Sequence, residues 1–146
     1  MSGFALLWLT GLVACHPRAV PRSIEVPAGF AGEVVIEYDA PGSPAFPIVG
    51  GREIIRVDPT GFASGSNHQT FGTVDDVVTA VDASGKRTPL TLVICTGESV
   101  SLRPGEVCEL GGGVTERPPG HKHAFSQLMV GPAEVDFDLR PERFFP

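Results

Sequence analysis

The sequence predicts an all-β fold, a small antiparallel β-sandwich, and three observations carry that expectation. Apolar residues recur at every second position in several short runs. Turn chemistry separates the runs: the 146 residues include 18 Gly and 14 Pro. No window holds a sustained i, i+3, i+4, i+7 apolar stripe, and residues 73–80 come nearest, with room for one helical turn.

The elements follow in order. In Gly32–Asp39, Val34, Ile36 and Tyr38 face one way and Glu33, Glu37 and Asp39 the other, the pattern of a strand with one face in solvent. Arg52–Val57 and Val77–Val81 are short and rich in β-branched residues, which suit a pleated surface. Leu90–Cys95 carries no charge and reads as a strand buried on both faces. Val100–Arg103 and Val107–Leu110 flank Arg103-Pro104-Gly105-Glu106 and read as a hairpin. Phe125, Gln127 and Met129 alternate with Ser126, Leu128 and Val130, and Val135, Phe137 and Leu139 with Glu134, Asp136 and Asp138. Asp58-Pro59-Thr60-Gly61, Asp82-Ala83-Ser84-Gly85-Lys86 and Arg117-Pro118-Pro119-Gly120 are the turns, where proline presets φ and glycine accepts φ > 0. Short strands at this spacing fit a sandwich or small barrel.

The amino terminus reads as an address. Met1–Ala14 is apolar and uncharged, shorter than the roughly 20 residues a bilayer-spanning helix needs, and suits the apolar part of a secretory signal. No Lys or Arg precedes it, as export signals ordinarily have. Leu12-Val13-Ala14-Cys15 resembles the bacterial lipobox. That resemblance implies cleavage before Cys15, lipid on its sulfur, and attachment to a membrane of the cell envelope, with the residue after Cys15 leaning toward the outer membrane. Each buried acyl CH₂ contributes about 0.8 kcal/mol, so several chains on one cysteine anchor stably. The domain plan is therefore 1–14 signal, 15–22 lipidated tether and 23–146 sandwich. A buried N-terminal helix with a core cysteine is the competing reading.

Charge and cysteine content narrow the function classes. A formal net charge of −6, from 17 acidic and 11 basic side chains, offers no basic stripe for nucleic acid. Three cysteines minus a lipidated Cys15 leave Cys95 and Cys108, an even pair that in an exported chain suggests one disulfide. Two reduced core cysteines are the alternative, and neither cysteine belongs to a Cys-x-x-Cys pair that would suggest zinc.

Pro27-x-Gly29-Phe30-x-Gly32-x-Val34-x-Ile36 resembles the opening segment of an uncharacterised family of bacterial lipoprotein domains. The likeness continues through Pro41-Gly42-x-Pro44, Gly51–Val57, Asp58-Pro59-Thr60-Gly61, Val81-Asp82-x-x-Gly85-Lys86-Arg87 and Val130-Gly131. It implies an envelope domain with no enzymatic activity attached. More distantly the layout resembles transthyretin-like and immunoglobulin-like sandwiches.

The search for chemistry yields few candidates. Ser64 or Ser66 with His68 and a remote aspartate has the residue types of a triad, but Gly61–Ser66 lacks the Gly-x-Ser-x-Gly spacing. Gly111-Gly112-Gly113 lacks the Lys and Ser/Thr of a phosphate loop and reads as a hairpin connection. On an extended segment His121 and His123 point to one side and are able to share an ion, with Glu116, Asp136 or Asp138 completing three ligands. A solvated loop is the simpler reading, and no cofactor signature appears. Pro41–Pro47 has the proline period of a polyproline II segment, or is a stiff loop with Phe46 on the core. Phe144 and Phe145 are either an exposed sticky patch or a cover for the sandwich. The resulting expectation is a non-catalytic binding or structural module whose partner is an envelope protein or polymer. A metal-handling or hydrolytic enzyme using His121, His123 and a carboxylate is the alternative.

Overall fold

A computed structural model describes residues 19–70, 75–95, 100–116, 119–135 and 144–145. The signal segment, Cys15, Asp136, Asp138 and most of the alternating run after Glu134 lie outside them. The described residues form strands β1 (Arg22–Pro27), β2 (Gly32–Tyr38), β3 (Ile48–Val49), β4 (Arg52–Arg56), β5 (Phe62–Ser64) and β6 (Val77–Val81). β7 (Arg87–Pro89), β8 (Thr91–Val93), β9 (Val100–Leu102), β10 (Glu106–Glu116), β11 (Lys122–Val130) and β12 (Ala133–Val135) follow. Of the segment considered for a helical turn, residues 77–80 belong to β6 instead.

The first sheet has the order β3-β4-β1-β6-β7, the second β5-β2-β11-β10-β8, and β12-β9 form a separate pair. The fold is an all-β sandwich, but its sheets are mixed. β1 runs parallel to both β4 and β6, β2 parallel to β5, and β8 parallel to β10. The cause is that consecutive strands change sheets. The chain leaves the first sheet after β1 through a turn closed by Phe30 N–H on Pro27 O (3.0 Å). It returns at β3, and leaves again after β4 through Asp58–Gly61.

That second turn follows its sequence. Asp58 Oδ1 accepts from Thr60 N–H (2.7 Å), Thr60 Oγ1–H (2.6 Å) and Phe62 N–H (3.1 Å). Burial works against the charged Asp58 carboxylate, but these bonds outweigh it and hold its pKa below the ordinary value. Gly61 sits at φ +91°, and a Cβ there would lie 2.2 Å from Glu33 O, so only glycine fits.

Between the sheets lie Ile24 and Val26 of β1, Val34, Ile36 and Tyr38 of β2, Ile55, Val78, Val107, Leu128 and Val130. Phe46 joins them edge-on to Tyr38 (5.9 Å between centroids), as the stiff-loop reading expects.

The outer face of the second sheet departs from the sequence reading. Glu33 and Glu37, assigned to solvent by their alternation, are 6% and 9% exposed. Two covers lie over this face. At one end Leu102, Cys108 and Met129 form a second small core with Val93, Cys95 and Ala133 around the Cys95–Cys108 disulfide (Cα–Cα 5.9 Å). At the other, Phe144 stacks on Phe62 and Phe145 on His123. Phe145 is 3% exposed and acts as a cover.

Two further expectations are corrected. β9 and β10 flank the Arg103–Glu106 turn without pairing, because β9 bonds to β12 and β10 to β11 and β8. Gly111–Gly113 lies inside β10, just past a bulge at Glu109/Gly111, and is no hairpin connection. A Cβ on Gly112 would stand 2.4 Å from Phe125 O and 3.1 Å from Gln69 Nε2, so the glycine admits close approach of another segment.

Candidate functional site

Arg22 opens β1, where it shares a face with Ile24 and Val26 and so points between the sheets. All five of its guanidinium N–H groups have acceptors. Nε–H donates to Asp76 Oδ2 (2.7 Å), Nη1 to Ser126 Oγ (3.0 Å) and Tyr38 Oη (3.4 Å), and Nη2 to Glu109 Oε1 (2.8 Å) and Asp76 Oδ2. Burial pulls its pKa down, but the Asp76 hydrogen bond and the field of Tyr38 outweigh it, and the group stays charged with a raised pKa. Burial likewise raises the Tyr38 phenol, partly offset by Arg22.

The segment after β5 closes this end of the sandwich. Asn67 Nδ2–H donates to Phe46 O (3.2 Å) and Glu53 Oε1 (3.1 Å), and Gln69 Nε2–H to Phe125 O (2.7 Å) and Ser126 Oγ (3.3 Å). Burial raises the Glu53 pKa, with the Asn67 bond and Arg22 opposing. With no N–H left over, Arg22 ties the two sheets together and has nothing to offer a ligand.

The open site is on the other face of β1. Glu25, buried at the sheet surface, is flanked by Arg56 of β4 and Arg87 of β7. Arg56 Nε–H donates to Glu25 Oε2 at 3.1 Å. Arg87 Nη1 lies 2.7 Å from Oε1 but off the hydrogen-bond direction, so that oxygen has a charge partner and no donor. Beside them is a shallow depression of about 390 Å³ whose lining includes Glu25, Arg56, Val26, Val57, Val81 and Asp82. Asp82 Oδ1 is occupied by its own turn, accepting from Ser84 Oγ–H (2.6 Å), Ser84 N–H (2.9 Å) and Lys86 N–H (3.0 Å). Ser84 and Lys86 hold that carboxylate below its ordinary pKa. The lining offers aliphatic surface, a carboxylate and a largely exposed guanidinium, but no nucleophile beside a base.

The candidates drawn from sequence are dispersed. His123 Nδ1 bonds to Glu37 Oε1, while His121 is exposed just before β11. Glu116 Oε1 accepts from Gly120 N–H (2.6 Å). Among the described residues no group of three His, Cys, Asp or Glu side chains is placed to hold a metal ion. Ser64 Oγ lies 2.9 Å from Ser43 Oγ, and His68 Nδ1 lies 3.0 Å from Asp39 Oδ1 at the surface. Among the described residues no helix is long and apolar enough to cross a membrane.

Sequence reading missed the Arg22 and Glu25 clusters. It passes over β1, and assigns Arg22 to the tether although its place two residues before Ile24 puts it on the apolar face. Asp76 and Glu109 come from distant segments with no common motif.

A family model described only as a family of unknown function matches residues 23–129. Among solved structures the chain is similar to a crystal structure of a candidate lipoprotein from Bacillus anthracis, at 16% identity over 87% of this chain and 88% of that one, with a TM-score of 0.63. At that identity the likeness is one of fold. No curated protein shows significant similarity to the chain.

Proposed function

The chain belongs to DUF6843, a family of unknown function, and from that premise we propose that it is a lipid-anchored domain of a bacterial envelope, acting as a non-catalytic binding or structural module. The observation that carries the proposal is the Cys95–Cys108 disulfide, a bond of oxidising compartments. It leaves Cys15, at the end of Leu12-Val13-Ala14, as the cysteine outside the pair. The fold shared with a candidate lipoprotein of Bacillus anthracis supports the same reading. The Glu25–Arg56 depression supports binding over turnover, and the partner is an envelope protein or polymer engaged at the sandwich surface. The lipid holds the domain to a membrane through residues 16–21, a tether reaching about 20 Å when extended.

Intact-mass analysis of the native protein from envelope fractions tests this. The expected product starts at Cys15, carries acyl mass on that residue, and leaves the membrane fraction on Cys15→Ser. An unprocessed Met1 with three free thiols refutes it.

A further inference from the structure

The chain enters the domain at one end of the sandwich, and the strand registers show what surrounds it there. Val20 N–H donates to Thr70 Oγ1 (3.3 Å) and Pro21 O accepts from Glu53 N–H (3.0 Å), so the chain is bonded to the domain before β1 begins. Arg22 then pairs with Glu53 of β4, and Ser23 with Val77 of β6, both in parallel. Arg22 Nη1 reaches the Tyr38 hydroxyl, so the last residue of β2 lies at the same end. Tyr38 pairs with Ala124, which pairs in turn with Val114. The start of β1, the β3–β4 hairpin, the start of β6 and the β10–β11 hairpin therefore share one end.

Exposed aliphatic side chains gather there. Of the six large apolar side chains exposed among the described residues, Ile48, Val49, Val77 and Val114 belong to this end. Leu92 and Ile94 lie on and just past β8, which pairs with the start of β10 toward the opposite end. The β3–β4 hairpin projects from the tether end. Gly50 and Gly51 turn it at φ +58° and +77°, left-handed at both central positions as a two-residue hairpin loop requires. A Cβ on either would meet nothing within 4 Å, so the tip stands clear of the domain. β4 runs parallel to β1 and Gly51 lies two positions before Glu53, so the tip extends about 7 Å beyond Arg22 on the side from which the chain arrives.

We infer that this end of the sandwich is a lipid-contacting face, on which Ile48 and Val49 of the hairpin, with Val77 and Val114 beside them, rest in the interfacial layer of the membrane. The inference rests on acylation of Cys15. Given that anchor, the occupant follows from chain length. Only residues 16–19 separate Cys15 from the first bonded residue, Val20, so this end is held within about 18 Å of the lipid surface. A surface held so close is met at high effective concentration, and a small aliphatic contact is enough to engage it. The contact is apolar rather than electrostatic: Arg52 and Lys122 at this end are offset by Asp39, Asp75 and Glu116. It also sets which way the domain faces. The depression at Glu25, Val26, Pro27 and Val81 lies toward the opposite end of β1, turned away from the lipid.

Tryptophan quenching in the acylated protein tests it. The one Trp of the sequence is Trp8, ahead of Cys15, so in a chain that starts at Cys15 the variants Val49→Trp and Leu92→Trp each carry a single fluorophore. Each is reconstituted through its lipid into phosphatidylcholine vesicles with brominated acyl chains. The expected result is loss of emission for Val49→Trp and full emission for Leu92→Trp. In the wild-type protein on the same vesicles, amide hydrogen exchange across residues 48–51 slows relative to the unacylated Cys15→Ser chain, and that across 91–93 does not. Quenching of Leu92→Trp as strong as that of Val49→Trp, or of neither, in protein that floats with the vesicles overturns the inference and leaves the anchor standing. So does unchanged exchange across 48–51. A chain that does not float with the vesicles refutes the anchor itself, and the inference falls with it.

Discussion

The His123 imidazole bonds through Nδ1 to the Glu37 carboxylate on the neighbouring strand, and the Phe145 ring lies over it at 4.4 Å between centroids. A polar side-chain pair on the outer face of a sheet is ordinarily solvated and contributes little. Here the side chains are largely removed from water, and loss of one partner strands the other. His123→Ala is therefore expected to cost about 2 kcal/mol in denaturant unfolding, the desolvation cost of an unsatisfied buried group. Glu37→Gln, which keeps an acceptor for the ring, is expected to cost less.

Cys95 and Cys108 close a loop with a sequence separation of 13. Chain-entropy reasoning assigns such a loop roughly 3 kcal/mol of stabilisation. Cys95→Ala/Cys108→Ala, or wild type under reductant, is expected to lose that amount in unfolding free energy. Equal midpoints with and without reductant would count against it.

Gly61 and Gly85 separate two costs of a side chain. Both lie at positive φ, but a Cβ at Gly85 meets nothing within 4 Å, whereas one at Gly61 meets Glu33 O at 2.2 Å. Gly85→Ala is expected to cost about 1 kcal/mol for left-handed backbone alone. Gly61→Ala must also move the β2 backbone and is expected to cost clearly more, read from the two denaturation midpoints.

The pH dependence has two components of opposite sign. The folded pKa of Asp58 is lowered, so its contribution is present above the unfolded carboxylate pKa and lost as pH falls through the folded value. The folded pKa of Glu53 is raised, so its contribution is present below the unfolded pKa and lost as pH rises through the folded value. Glu53→Gln keeps an acceptor for Asn67 and is expected to raise stability relative to wild type near neutral pH while removing that loss. Asp58→Asn is expected to flatten the acid limb. Thermal unfolding from acid to neutral pH checks both.

Much of the fold was legible because alternation and turn chemistry are local. The core face of β2, the Asp58 and Asp82 turns and the core position of Phe46 follow from neighbouring residues. The Cys95–Cys108 bond follows from the count of thiols. Errors arose where a strand's environment depends on what lies above it. Glu33 and Glu37 alternate as solvent-facing residues do, yet the C-terminal aromatics and the β9–β12 pair cover their sheet. Leu90–Cys95 reads as interior, yet it changes sheets between Leu90 and Thr91 and ends on an open edge. Of the depression beside β1, nothing marked Glu25 in advance, because its partners Arg56 and Arg87 arrive on two other strands.

By itself, then, the sequence determined that this chain is all β, where the Asp58 and Asp82 turns fall, and that Val34, Ile36 and Tyr38 share one face. These are properties of dihedral preference and period, which each segment carries alone. Only the tertiary structure decided that β1 lies parallel between β4 and β6, that Arg22 is spent between the sheets, that Glu25 borders a depression and that β8 is an edge strand with Leu92 exposed. Strand order is chosen by the free energy of burying two faces at once, a quantity belonging to pairs of distant segments and to none of them singly.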